Sequence, residues 1–574
     1  MRGICLCALI LLASLSPLAA KPKIDDKTGV RSRATVADAT VLAQGSAFVV
    51  TGSALGPDEG ATAEVPYPQE LAGVKVTLTA ASDAGVFDAF LISVAAGRIV
   101  AIVPSAVSAG SYAVSVSYGG ETSNSFKITI ADVNFGLLTN TGANGGMAEA
   151  RIRTPNAGAV PVTYVNGATP GVTLEFSATG LGSTGEADNE YPAEANRVDG
   201  AVLVIGGHEV PTTYIGRDPA KPGHDKVVVT LPAENLTFDC SVMFQLRLGA
   251  TTTGTFSLPI VGELGAVCAN SLGISPEGLQ TLSQGGGVVL GGMALARVIA
   301  TVKSGGITYE SKGDQFSGGF VAYSAQSIAD MMARSQFLRD ALNANNCTVY
   351  TPLPGSGGEY VDTGDRLTLT SPAWTLQVPR TPTAPNVYSL LLAQVFTGIT
   401  IPPLPGALNQ TIVAGRYKLE GTGGTVVGPF TAEIDVSEQF IWTNGAGLDS
   451  VDRGKDLILT WTGGAPADLV QASATVRGYA PENPAQVVDR VFQCAAPASA
   501  GRMVVPTSIL QQMPILKSIA PGPGVTFYGS LAIAHTSPND YSVVFRAPLV
   551  AGGSTESAAF VFGYTIARSP VLFP

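Results

Sequence analysis

The stretch ATGLGSTGEADNE, residues 178–190, places Gly180, Gly182 and Gly185 at the G-x-G-x-x-G spacing of a dinucleotide-binding turn, directly after a strand-like run. Such a turn works because a helix begins within the glycines and aims its free amides at a pyrophosphate. Here the chain continues Glu186, Ala187, Asp188, Asn189, Glu190, Tyr191, Pro192. Three carboxylates would repel the anion, and Pro192 discourages the crossover helix. The glycines therefore read as a tight strand-to-loop turn that holds no nucleotide.

Other reactive residue types are sparse. His208, His224 and His535 form neither an H-x-x-x-H nor an H-E-x-x-H pair, and GGHEV and PGHDK read as turns. A G-x-S-x-G nucleophile elbow is absent. Carboxylates group at Asp58 and Glu59, at Asp188 to Glu190, and at Asp362 with Asp365. Glycosidase chemistry needs two opposed carboxylates about 5–10 Å apart, which spacing along a chain does not establish. Clustered loop oxygens also suit a hard cation such as calcium, although capped turns use the same residues. Trp442 and Trp461 could stack on sugars, but Leu457, Leu459 and Trp461 share one strand face, as do Phe440 and Trp442, which favours core packing. No catalytic residue, cofactor-binding residue or metal ligand is assigned.

The remaining chemistry is that of thiols. MRGICLCALILLASLSPLAAKPK opens the chain with Arg2, an apolar run from Ile4 to Leu15, and small residues at Ala19 and Ala20. This is the pattern of a secretory signal, residues 1–20, cleaved before Lys21. It leaves Cys240, Cys268, Cys347 and Cys494, an even count that in an exported chain reads as disulfides. Strands over 241–248 and 255–262 would bring Cys240 opposite about residue 264, with Gly262 and Gly265 letting the chain fold back to Cys268. Cys347 and Cys494 are matched by elimination.

The elements that must carry these residues are short strands. The 574 residues are 45% hydrophobic but only 13% charged, with 67 Gly and 38 Pro, a composition of strands and turns. A net charge of −11 with no basic cluster argues against a nucleic-acid partner. No later segment is long and apolar enough for a transmembrane anchor; the richest, SLLLAQVFTGITIPPL, is broken by Gln394, Gly398 and two prolines.

The chain also repeats itself. GSAFVVTGSALG (45–56) aligns without gaps on GVTLEFSATGLG (171–182), AIVP (101–104) on VTLP (229–232), and YGGETSNSFKITI (118–130) on LGATTTGTFSLPI (248–260). Period-two alternation in KVTLTA, GRIVAIVP, SYAVSVSY and NSFKITI predicts strands, with a hairpin turn at Gly119-Gly120. A second echo pairs VDTGDRLTLT (361–370) with VDRGKDLILT (451–460), followed by AGRYKL and AGRMVV. One helix is predicted near 327–343, its Ser327 and Asp330 imitating a capping box. The expected fold is all-β: tandem immunoglobulin-like β-sandwich modules with one short helix in the middle region. The expected boundaries are a linker at 21–37, sandwiches at 38–132 and 133–264, a linker and β-rich segment at 265–345, and modules at 346–437 and 438–574.

At GVTLEFSATGLG, YIGRDPAKPGHDKVVVTLP, CSVMFQLRLGATTTGTFSLPI, NCTVY, WTGG and FQCAAPASAGRMVVP the chain resembles secreted Solibacter-type acidobacterial proteins of unknown function, whose repeats are related to IPT/TIG immunoglobulin-like domains. The resemblance implies an extracytoplasmic sandwich and transfers no active-site residues. The expected function is that of a secreted, non-catalytic structural, adhesive or ligand-binding protein at the cell surface, with an extracellular polymer or protein as partner. The alternative is a secreted polysaccharide-acting hydrolase that uses loop carboxylates.

Overall fold

A computed structural model describes residues 21–574 apart from 37, 82–84, 141–145, 155–157, 196–197, 250, 305, 333–346, 351–356, 401–405, 437–439, 467, 484, 520–526 and 538–543. The signal segment, with Cys5 and Cys7, and the second half of the expected helix lie outside the described residues. The described residues form two compact units, one of residues 21–162, 170–236 and 244–256, the other of residues 163–169, 237–243 and 257–574.

The first unit begins with a two-sheet sandwich. One sheet centres on Ala47–Ser53 beside Arg98–Ile102 and Phe90–Ala95; the other orders Phe126–Ala131, Gly110–Tyr118 and Lys75–Ala80. Alternate residues of both sheets, among them Phe48, Val50, Leu78, Val114 and Ile128, meet in the core. Gly119 and Gly120 have φ of +61° and +82° and turn the chain between Tyr118 and Glu121, which pair directly. Positive φ at both central residues matches the twist of a hairpin.

The second sandwich of this unit repeats the first in register. Ala47 pairs with Ile102 and Thr51 with Arg98; at the aligned positions Thr173 pairs with Thr230 and Ser177 with Lys226. The repeat is thus one of tertiary structure as well as of sequence.

The second unit is built on a sheet that has fourteen strands among the described residues. Its middle is Leu469–Tyr479, Tyr528–Ser537, Ser557–Ser569, Val288–Ser304 and Ile307–Tyr323, adjacent in that order. The inner side of these strands carries Val470, Leu531, Phe560, Leu295 and Phe316 into a core shared with Tyr388, Tyr417 and Trp461. The outer side reads Leu290, Gly292, Ala294, Ala296, Val298, Ala300 and Val302 along one strand. Across it stand Ser311, Gly313, Gln315 and Ser317 on one neighbour and Val561, Gly563, Thr565 and Ala567 on the other.

The echo in this unit is also structural. Arg366–Thr370 pairs with Gly415–Gly421, and Leu457–Thr462 pairs with Arg502–Val505. Thr370 faces Lys418 whereas Thr460 faces Arg502, a slip of two residues against the aligned sequences. An even slip keeps the same residues facing inward.

Two helix details differ from expectation. The helix expected from Ser327 is already under way at 325, because the Ser324 hydroxyl accepts the Ser327 amide at 3.2 Å. Ser327 is inside the first turn and its hydroxyl donates to the Gly357 carbonyl at 2.5 Å. A second helix, Pro276–Ser283, was not anticipated; Ser275 caps it, with Pro276 in its first turn. Its start signal, Ser-Pro-Glu, is present in the sequence.

Candidate functional site

The glycine motif closes on itself. Gly180 and Gly182 have φ of +106° and +89°, a region that favours glycine. A side chain on either would run into the main chain of 132–134: a Cβ would lie 2.1 Å from the Asn134 carbonyl at Gly180 and 2.2 Å from the Asp132 carbonyl at Gly182. The Leu181 amide, the donor a phosphate would want, is spent on Asp225 Oδ2 at 2.9 Å. Asp225 Oδ1 in turn holds Arg217 Nη1 at 3.0 Å, and Arg217 Nη2 donates to the Gly182 carbonyl at 2.5 Å. Asp225 is fully buried and Arg217 is 5% exposed. The protein's own carboxylate fills the anion position.

Two residues after the glycines, Asp188 and Asn189, fasten the two sandwiches of the first unit together. Asp188 accepts the Ser105 amide and hydroxyl, both at 2.6 Å. The Asn189 main-chain carbonyl accepts the Tyr67 amide at 3.0 Å, and its side-chain Nδ2 donates to the Tyr67 carbonyl at 3.1 Å. Glu190 faces solvent. Asp188→Ala is expected to destabilise the first unit by about 1–3 kcal/mol, since it orphans two donors on Ser105. Urea unfolding of the full chain against wild type measures it.

Of the histidines, His224 is the most perturbed. Its Nδ1 lies 3.1 Å from the Pro222 carbonyl and its Nε2, buried, has no hydrogen-bond partner among the described residues. Burial, with the nearby positive charge of Arg33, pushes its pKa down to about 3. The unfolded chain protonates this residue near its ordinary value of 6.5, while the folded chain refuses the proton until about 3. The stabilisation is therefore complete above the ordinary value and lost as pH falls between the two, with a slope of up to about 1.4 kcal/mol per pH unit. Denaturant titrations across that window should show the slope in wild type and a weaker one in His224→Asn. His208 sits at the Gly206-Gly207 turn with Nε2 3.3 Å from the Asn235 carbonyl. His535 is buried in its strand, Nε2 2.7 Å from Asp468 Oδ2, and stacks on Phe440.

Asp362 and Asp365 line an open groove of about 770 Å³ with Arg366, Gln377 and Arg380. Asp362 is saturated: it accepts the Thr425 hydroxyl and amide at 2.7 and 2.9 Å, the Gly364 amide at 3.0 Å, and a short bond from Arg380 Nη2. The Thr425 hydroxyl first, then the two amides and the Arg380 charge, hold its pKa down at about 2. A glycosidase general acid needs the opposite, a raised pKa. Asp365 is 96% exposed and 3.7 Å from the same guanidinium, so Arg380 supplies the positive charge that loop calcium would have brought. Nothing in the sequence around VDTGD marks Arg380 or Thr425 as partners; the Asp-x-Gly turn alone was legible. Among the described residues no three His, Cys, Asp or Glu side chains gather into a metal-binding group.

Trp442 and Trp461 face each other across paired strands, 7% and 3% exposed, with the Trp461 indole donating to the Ala498 carbonyl at 3.0 Å. They are core residues. Cys240 is bonded to Cys268 and Cys347 to Cys494, with Cα separations of 4.9 and 4.0 Å. The Cys240 amide donates to the Ala269 carbonyl at 2.8 Å, and Cys347 lies directly opposite Cys494 in an antiparallel pair.

These features define a tandem immunoglobulin-like β-sandwich repeat protein whose conspicuous polar residues fasten loops and modules. No family model matches the chain, and no curated protein matches it. Among solved structures it is similar to domains 5–6 of the S-layer protein SbsC, at 13% identity over 42% of this chain and 99% of that one, TM-score 0.17. Domains 4–9 of SbsC align at 10% identity over 95% and 82%, TM-score 0.17. The plexin A4 extracellular region aligns at 8% over 83% and 34%, TM-score 0.12. Likeness at this level carries no argument, and the fold rests on the strand pairing above.

Proposed function

We propose that this is an exported, non-catalytic structural or adhesive protein whose sandwiches act as spacers and present loops to an extracellular polymer or protein. The observation that carries the reading is the use of its loop carboxylates: Asp188 is engaged by two donors of Ser105 and Asp362 by four donors, all of which hold loops in place. Two disulfides suit an oxidising compartment. The signal segment at 1–20, the boundaries at 132, 264, 345 and 437, and kinship with the secreted acidobacterial proteins belong to the same proposal. The test combines fractionation with activity panels. The mature chain should begin near Lys21 outside the cytoplasm and show no turnover of glycan, ester or peptide substrates. Hydrolysis abolished by a change at Asp188, Glu190, Asp362 or Asp365 would instead establish the hydrolase reading.

A further inference from the structure

The outer side of the five middle strands of the second unit has the wrong polarity for a face left in water. These strands pair antiparallel except Val288–Ser304 with Ser557–Ser569, which run parallel, and a sheet with only one face on the core ordinarily turns charged and polar residues outward. Here the ions are on the inner side: Arg297 pairs with Asp314 at 2.6 Å, and Asp449 holds Arg568 at 2.8 Å together with Lys303. Outward, from Leu290 to Val302, Tyr309 to Ser317, Ala559 to Ser569, Ser530 to Thr536 and Leu469 to Thr475, alternate residues include no Asp, Glu, Lys or Arg. The first charge met is Arg477, at the margin and paired with Asp489 at 3.0 Å. The outward residues on these strands are mostly only partly covered.

We propose that this face is an interface between two copies of the chain. Five strands at about 4.8 Å spacing, contributing on average about nine residues each at about 3.3 Å, cover roughly 740 Å². A stable dimer buries about 600–1,000 Å² per partner, and the face falls within that range. Charge selects the occupant. In a chain of net charge −11, a broad uncharged face is where a second copy can approach without repulsion, whereas a charged polymer would have to bury ions with nothing to pair them. Shape agrees: Ala, Gly, Ser and Thr side chains leave a low surface on which a twofold-related sheet can lie directly, in the aligned packing of two sheets.

Sedimentation velocity of the full chain over a dilution series should show a reversible monomer–dimer equilibrium. Ala296→Lys and Ala534→Lys, each placing an unpaired charge at the centre of the face, should weaken it by about 100-fold, while Thr431→Lys on an exposed edge strand leaves it unchanged. Circular-dichroism melts check that the variants fold. A nitroxide on Ala534→Cys, a change too small to unfold the strand, gives a second reading, with dipolar coupling between labels appearing only in the dimer. A chain monomeric at every concentration, or a dimer indifferent to both lysines and without label coupling, overturns the proposal. So does a monomer that pellets with zwitterionic lipid vesicles, which would assign the face to a bilayer surface.

Discussion

Asp225→Ala is expected to destabilise the first unit by about 3–5 kcal/mol, the cost of breaking a buried ion pair from one side. Arg217 is 5% exposed, and without Asp225 its charge loses the carboxylate it is bonded to and keeps the Gly182 carbonyl. The Leu181 amide loses its acceptor at the same time. Asp225→Asn should cost less, because it keeps an oxygen for one donor. Replacing both partners with apolar residues of similar volume should recover much of the loss, since the pair is costlier to break than to omit. Urea unfolding followed by circular dichroism measures all three variants. A loss below about 1 kcal/mol for Asp225→Ala would mean that water reaches Arg217.

The same residues show what the sequence could tell and what it could not. The glycine turn was legible as a turn because three carboxylates and a proline follow it. That its anion position is filled by Asp225 was not, since the partners are 44 residues apart and join only when two strands lie side by side. The strands of the first sandwich were legible because each has one face on a core and one in water, which writes period two into the sequence. The hairpin of Val288–Ser304 and Ile307–Tyr323 gave no such signal: in VVLGGMALARVIATV the outward residues are as apolar as the inward ones, and alternation vanishes. The feature that hid the hairpin is the one that makes its outer face unusual. The helix start was misplaced by three residues because Ser324 and Ser327 both satisfy the capping rule, and only the hydrogen bond decides between them.

The largest stability effect in the second unit is expected at Cys347–Cys494. The bond spans 147 residues, against 28 for Cys240–Cys268. In the chain-entropy picture such loops correspond to about 5 and about 3.5 kcal/mol of lost freedom in the unfolded chain. Tertiary context widens the difference. Cys347–Tyr350 is a four-residue strand at the end of the fourteen-stranded sheet, held by pairing along Val487–Pro497 alone. A strand that short is weakly held by its ladder, and the bond keeps its buried Cys347 and Thr348 in place. Cys240, by contrast, lies in a ten-residue strand that would stay paired without its disulfide. The Cys347→Ala/Cys494→Ala double variant should therefore lose about 4–5 kcal/mol and Cys240→Ala/Cys268→Ala about 3 kcal/mol or less, in thermal melts of the full chain. Non-reducing peptide mapping of wild type comes first. Four alkylatable thiols in the native protein, or a Cys240–Cys347 link, would remove the basis for both numbers, and equal losses in the two variants would show that loop length is not what sets them.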